Sequence, residues 1–392
     1  MTGARLKTRL PVPPRKLMTR LLAVGPVPPE WGGKLRGGVT RFNVTLLDEL
    51  RTRPWRHRIE PIGVLIPPPQ RIHRQLAEKL APLPIFMQPE GGRPRRFTRL
   101  LLEEQRPDVV LVNNIAAFNG ARYARVQAQI APDLPAVAVV HEWRAIWAKE
   151  EDERAERYRL AAQQALDSVA AVVFPSVHTR DLGTRQLGLS YPERTVVINN
   201  PVQPAFADPD LRIDGERSGI AFVGSFNDRK NPQSLLRAVA TLPDVELTMQ
   251  GRGPLEQDLK SLTAELGIGD RVHFAPYLGQ RKHLDAVIDV MRSAELLCLP
   301  SRSEAFALVI VEALAAGTPV AGFGPTLTEI RERIGIDVGE PIFDPTPDNV
   351  AAAIEAVRSR RWDRAALRRA VLDRFSPPVV ARNYASLLRA VA

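Results

Sequence analysis

The chain has 392 residues, 44% of them hydrophobic, and a formal net charge of +10; that length exceeds one ordinary core and predicts two or three domains. Its one cysteine, Cys298, excludes an internal disulfide and reads as a buried core residue in a reducing compartment. No apolar run reaches the eighteen or so residues of a membrane span, and the N-terminus carries six basic residues without a signal-like apolar stretch, so a cytosolic protein is expected.

The positive balance suits a polyanion: nucleic acid, an acidic membrane surface or a phosphorylated substrate. Zinc-finger spacing, aromatic RNA-binding signatures and a helix-turn-helix are missing, which speaks against nucleic acid. The competing reading is a solvated arginine-rich surface.

In chain order, residues 1–16 form a basic tail expected to be disordered. Leu17 to Gly25 reads as a buried strand, followed by a Gly/Pro-rich loop and an amphipathic helix with Val44, Leu47 and Leu50 on one face. "EPIGVLIP" is a second strand, and Ile72, Leu76 and Leu80 give a short helix its apolar face. "DVVLVNN" and "PAVAVVHEW" are strands, the latter ending at His141, and a long charged helix spans roughly Ala148 to Val169. "AAVVFPS" and "TVVINN" are short strands. Strand and helix in alternation imply a parallel sheet covered on both faces.

The alternation then restarts. "GIAFVGSF", "VELTMQG", "RVHFAPY", "ELLCLPS" and "TPVAGF" read as strands, separated by helices, the first of which has Pro232 in its first turn. Three helices close the chain, over "PDNVAAAIEAVRS", "RWDRAALRRAVLDRF" and "PPVVARNYASLLRAV". The aperiodic stretch from Asn199 to Gly219, rich in Pro, Asp and Gly, is the best linker. The division expected is 1–203 and 204–392: an α/β protein of two doubly wound, Rossmann-like domains facing each other across a cleft, with the last helix packing back on the first domain. Ligands then bind at the carboxyl ends of the strands.

Within "SRSEAFALVIVEALAAGTPV", Ser301 to Val320, almost every residue from Ala305 to Ala316 is apolar except Glu312. A carboxylate buried in such a helix costs several kcal/mol unless a partner satisfies it, and no Lys or Arg lies within a helical turn of it. The vicinal hydroxyls of a ribose are suitable donors; the alternative is an arginine from elsewhere in the chain. The first turn of this helix, with its unpaired N–H groups, suits an anion such as a diphosphate. Glu304 stands at its mouth.

The pair Glu304 and Glu312, followed by "ALAAGTPV", resembles the signature of family 4 retaining glycosyltransferases (glycosyl transferases group 1), which have the GT-B architecture. The order "FVGSFNDRKNP", "LTMQGRGPLEQDL", "VHFAPYL", "AELLCLPSRSEAF" agrees with it, as do the N-terminal glycine-rich loop, "VVHEW" and "VVINNPV". The resemblance runs from about Leu17 to Val391. It implies sugar transfer from a nucleotide-diphosphate sugar to a hydroxyl of a carbohydrate or lipid-linked acceptor, as in glycan, lipopolysaccharide or glycolipid assembly.

Residue by residue, the resemblance implies Lys230 on the donor's diphosphate and Glu312 on its ribose. Glu304, with the backbone of Phe306, Ala307 and Leu308, contacts the sugar and phosphates, and His141 reaches the sugar from the other domain. Gly37 and Gly38 let the N-terminal loop approach. His141, Glu304 and Lys230 are the catalytic candidates. Four positions depart from the family: Ser225 where arginine is usual, with Arg229 beside Lys230 as the substitute charge; Ala307 where glycine is usual; Pro201 after Asn200 where glycine is common; and Arg252 where an acidic residue is frequent. No Asp-x-Asp cluster precedes a suitable loop, so neither metal nor other cofactor is expected. Rival readings are another GT-B enzyme, such as a sugar-nucleotide epimerase or a phosphorylase, and a non-catalytic nucleotide-sugar-binding protein. On the acceptor side, Arg93, Arg95, Arg96 and Arg99 alternate with Phe97 and Leu100 to Leu102, a pattern suited to peripheral attachment at the inner face of an anionic membrane or to leucines packed beneath the sheet.

Overall fold

The computed structural model describes residues 18–28, 31, 38–66, 79, 81–87, 94–113, 118–143, 153–276 and 280–392. The basic tail, Gly37, Arg93 and most of the helix expected around Ile72 to Leu80 lie outside these residues.

Two all-parallel sheets organise the chain. The first contains β1 (Thr19–Val24), β2 (Ile59–Ile66), β3 (Ile85–Met87), β4 (Val109–Asn113), β5 (Ala136–Val139), β6 (Ala171–Phe174) and β7 (Thr195–Val197), ordered β3-β2-β1-β4-β5-β6-β7. The second contains β8 (Ile220–Val223), β9 (Leu247–Gln250), β10 (Val272–Phe274), β11 (Leu296–Leu299), β12 (Val320–Phe323) and β13 (Gly339–Ile342), ordered β10-β9-β8-β11-β12-β13. The inner strands β4, β5, β6, β8, β11 and β12 are buried along their whole length. This is why they read as continuous apolar runs rather than alternating ones.

The helices of the first half are α1 (Gly38–Thr52), α2 (Pro54–His57), α3 (Pro94–Gln105), α4 (Phe118–Ile130), α5 (Glu153–Leu166) and α6 (Val177–Leu187). Those of the second half are α7 (Pro232–Ala240), α8 (Glu256–Glu265), α9 (Gln280–Ser293), α10 (Leu308–Ala315), α11 (Gly324–Ile334), α12 (Pro347–Arg358), α13 (Arg364–Phe375) and α14 (Pro377–Val391). Strand order reverses between β1 and β4, and again between β8 and β11. In doubly wound sheets the crevice outside such a switch point is where ligands sit.

α14 belongs by sequence to the second half and by packing to the first. Its Val380, Ala381, Tyr384, Leu387 and Leu388 join the core that holds Phe42, Leu46 and Leu50 of α1. The Tyr384 and Phe42 rings lie 5.5 Å apart. The chain therefore crosses between the sheets twice, and the crossings touch: Val202 N–H donates to the Phe375 carbonyl at 2.9 Å.

α10 starts at Leu308, later than its apolar pattern suggests. The reason is local. The Ala305 carbonyl, which inside a helix would accept from residue 309, accepts instead from the hydroxyls of Ser176 and Thr179. Glu304 to Ala307 consequently stay in a loop. Cys298 is fully buried in β11, and burial pushes its thiol pKa up.

Candidate active site

At the second switch point, the loop after β8 carries Ser225, Arg229 and Lys230, and the loop after β11 carries Ser301 and Glu304. The two loops are bonded together. Arg302 N–H donates to the Arg229 carbonyl at 2.8 Å, and the Arg302 side chain reaches Asn231 Oδ1 at 3.3 Å. Asn231 sits in the left-handed region at φ 52° as the residue before α7, a conformation asparagine tolerates better than most side chains. Its amide also donates to the Pro345 carbonyl at 3.0 Å. The β8 loop is supported from below by "GRG". A Cβ on Gly251 would lie 1.9 Å from the Gly224 carbonyl oxygen, so only glycine admits the contact in which Phe226 N–H donates to the Arg252 carbonyl at 2.8 Å.

Glu304 is the centre of this crevice. It is 5% exposed. Its Oε1 is bonded by Lys230 Nζ and, at 2.7 Å, by Ser301 Oγ; Arg229 Nη1 lies 3.4 Å from Oε2. Burial alone would raise the Glu304 pKa, but the Lys230 and Arg229 charges and the Lys230 and Ser301 hydrogen bonds outweigh it and hold it below the usual carboxylate range. Two cations thus converge on one buried carboxylate beside the start of α10. Ser225 is exposed next to them. Phe306, Ala307 and Leu308 are all buried.

Glu312, 2% exposed, finds its partners outside its own helix. Gln203 Nε2 donates to Oε1 at 2.7 Å, and Arg41 of α1 places Nη1 3.7 Å away. Arg41 is 47% exposed, so the arginine partner comes from the opposite domain and keeps its contact with water. Gly38, the first residue of the same helix, faces Leu308 of α10, with 3.6 Å from a notional Cβ to the leucine methyl. No sequence pattern marks Gln203 or Arg41, because each lies more than a hundred positions from Glu312.

The two domains also meet beside the cleft. The start of α6 docks on Glu329 of α11: Val177 N–H donates to Oε2 at 2.9 Å, and Asn199 Nδ2 to Oε1 at 2.8 Å. A carboxylate at a helix N-terminus is well placed for the dipole. The His178 ring lies 5.4 Å from that of Phe323.

The first switch point holds neutral groups. His141, just past β5, is buried, and burial lowers its pKa from its ordinary 6.5 to about 3. Its Nε2 is 2.8 Å from Asn113 Oδ1. Asn113 Nδ2 donates to Asn43 Oδ1 at 2.7 Å, and Asn43 Nδ2 to the Pro26 carbonyl at 2.8 Å. Phe42 meets the imidazole edge-on at 4.8 Å. Gly25 leaves the room this needs, since a Cβ there would fall 2.8 Å from Asn113 Cβ. Neither asparagine carries a signal in the sequence; "DVVLVNN" reads only as a strand.

Part of the positive charge serves the fold. Around the end of α10, Arg217, Arg364 and Arg368 donate to the carbonyls of Ala316, Gly317 and Ala315, at 2.9, 3.0 and 2.5 Å. Arg271 does the same for Leu242 and Val245 after α7. Burial, then the charges of Arg364 and Arg292, push the Arg217 pKa down to about 10. These guanidiniums sit at the negative ends of helices, not on a face open to a polyanion. In α3, Leu101 and Leu102 are buried while Arg95, Arg96, Arg99 and Leu100 are exposed, so the two readings of that segment divide along its helix faces. Among the described residues no helix is long and apolar enough to cross a membrane, and no group of three or more His, Cys, Asp or Glu could hold a metal ion.

Comparison with known proteins places this geometry. Residues 36–206 match the family described as Glycosyltransferase Family 4, and residues 205–369 match Glycosyl transferases group 1. D-inositol 3-phosphate glycosyltransferases are similar in sequence: that of Mycolicibacterium gilvum is 34% identical over 188 residues, 46% of this chain and 41% of the relative. That of Mycobacterium sp. (strain JLS) is 35% identical over 179 residues, 42% of this chain and 39% of the relative. The matched segments thus span about two fifths of those relatives' length. Among solved structures, HepE of Anabaena in complex with UDP superposes with a TM-score of 0.69 at 19% identity, over 95% of this chain and 100% of that one. The lipopolysaccharide outer core galactosyltransferase WaaB gives 0.70 at 15% identity, over 95% and 100%. With two models meeting end to end over residues 36–369 and the fold shared along nearly the whole length, the chain belongs to glycosyltransferase family 4, on the GT-B architecture.

Proposed function

We propose that the protein transfers a sugar from a nucleotide-diphosphate sugar, held by the second domain, to a hydroxyl of an acceptor approached from the first. The observation that carries this reading is the convergence of Lys230 and Arg229 on Glu304 at the switch point of the second sheet, beside the start of α10. Breaking the bond between the anomeric carbon and phosphate leaves positive charge on the sugar and two negative charges on the departing nucleotide. Lys230, Arg229 and the first N–H groups of α10 form a preorganised receptor for that charge. Glu304 keeps the two cations in place before the donor arrives. Glu312 exchanges its Gln203 and Arg41 contacts for the ribose hydroxyls. His141 meets the sugar from the first domain. The reaction needs no metal, because protein cations meet the leaving charge, and it proceeds with retention of configuration, as in the retaining family that the motif resembles.

The names of the relatives favour a uridine nucleotide and a phosphorylated or glycan acceptor as first trials. The exposed Arg95, Arg96, Arg99 and Leu100 of α3 support an acceptor at an anionic membrane surface. The deciding experiment is a thermal-shift panel of UDP-, GDP- and ADP-sugars, followed by transfer assays with the nucleotide that stabilises the protein. One nucleotide class should raise the Tm, and Lys230→Ala should abolish the rise. A panel without any shift overturns the reading. Sedimentation with anionic and neutral liposomes tests the surface: binding should need anionic lipid, fall steeply with salt, and weaken when the three arginines become glutamine.

A further inference from the structure

The first switch point contains a chain of amides whose direction can be deduced. The Pro26 carbonyl can only accept, so the group that Asn43 turns to it, 2.8 Å away, is Nδ2. That orientation points Asn43 Oδ1 at Asn113, which must answer with its own Nδ2, at 2.7 Å. Asn113 then has only Oδ1 left for His141, at 2.8 Å from Nε2. An oxygen acceptor requires a proton on the nitrogen it faces. Reversing any one amide would set oxygen against oxygen or N–H against N–H in a buried site, at the cost of unsatisfied polar groups. Each link therefore forces the next, from a backbone carbonyl to an imidazole more than a hundred residues away. The Phe42 edge holds the ring plane. Nδ1 has no hydrogen-bond partner among the described residues.

We propose that Asn43 and Asn113 are positioning residues that hold His141 as the Nε2–H tautomer, so that Nδ1 carries a lone pair and accepts a hydrogen bond from a substrate O–H or N–H. This deepens the functional reading, on which it rests for the identity of the substrate. It makes His141 a selector for a hydroxyl or amino group on the transferred sugar or acceptor. A phosphate oxygen, a carbonyl or an ether at that place has no proton to give.

Long-range 1H–15N correlation spectra of the full chain, labelled with 15N-histidine and assigned by difference from His141→Ala, read the tautomer directly. The wild-type ring should show a protonated Nε2 and a bare Nδ1 at neutral pH. In Asn113→Leu the acceptor is gone, and the proton should move to Nδ1. In Asn113→Asp an oxygen still faces the ring, and the proton should stay on Nε2. A residue that merely filled space would leave the tautomer unmoved in both. A wild-type ring protonated on Nδ1, or an Asn113→Leu protein with intact fold and an unchanged ring, overturns the proposal. No substrate is present in these spectra, so failure of the donor panel leaves their result standing.

Discussion

The two switch points follow one topological rule and have opposite electrostatics. In the second sheet, a lysine and an arginine close on a buried glutamate. In the first, an imidazole, two amides and a peptide carbonyl are joined with no net charge. The same strand reversal makes both crevices. The difference lies in which residues the strand ends carry: charged side chains on one wall, neutral amides and an imidazole on the other. Burial, which lowers the His141 pKa, keeps the first wall uncharged.

The charged wall is tested hardest at Lys230. Lys230→Ala should slow transfer about 10²–10³-fold, the usual loss when one stabiliser of developing charge is removed. Nucleoside diphosphates should weaken far more than the bare nucleoside. Equal weakening of both, in calorimetry, would show that the lysine serves the fold. Next, Glu312→Ala should weaken nucleotide binding by about 1.5–3 kcal/mol, the range for hydrogen bonds to a charged group. The fold should persist, since Arg41 is half-exposed and can be rehydrated. Unchanged affinity would remove Glu312 from the site.

On the neutral wall the effects should be smaller. His141→Ala should lower turnover by about tenfold, the worth of one neutral hydrogen bond, with nucleotide affinity nearly intact; normal turnover would sink the assignment. The smallest effect is on stability against pH. Unfolded His141 takes up a proton near 6.5, whereas the folded ring does so only near 3. Acid therefore favours the unfolded chain, and stability is lost as pH falls through that window. Between pH 6.5 and 5.5 the loss is about 1 kcal/mol, and denaturant titrations should show it disappear in His141→Leu. Glu304 works lower on the scale: its depressed pKa adds stability above the ordinary carboxylate pKa that is lost in stronger acid.

What the sequence made legible follows the same division. Inner strands such as "DVVLVNN" and "ELLCLPS" announce themselves because both faces are buried. β13, "GEPI", contains a glycine, a glutamate and a proline, and β3 has three residues at an edge; neither carries a pattern. α11, "GPTLTEIRERI", begins with breakers and is charged along one side, so it reads as loop. On the charged side, Glu312 is legible because a carboxylate in an apolar run demands a partner, whereas Lys230 and Arg229 come only with the family resemblance. Asn43 and Asn113 are not legible, since an amide disturbs no pattern and the two lie 70 positions apart. Likewise, an arginine count does not reveal that Arg217, Arg364 and Arg368 are turned inward onto carbonyls.

The return of α14 sets both the mechanics and the assembly of the molecule. Two tethers joined by the Val202–Phe375 bond cross at one point, so sliding or separating the lobes there would break that bond. The same crossing means that the first lobe's hydrophobic interior is incomplete until α14 has been made and packed. A cut at residue 203 would leave Phe42, Leu46 and Leu50 without their cover, so the N-terminal half made alone should refold only when the segment 377–391 is supplied with it.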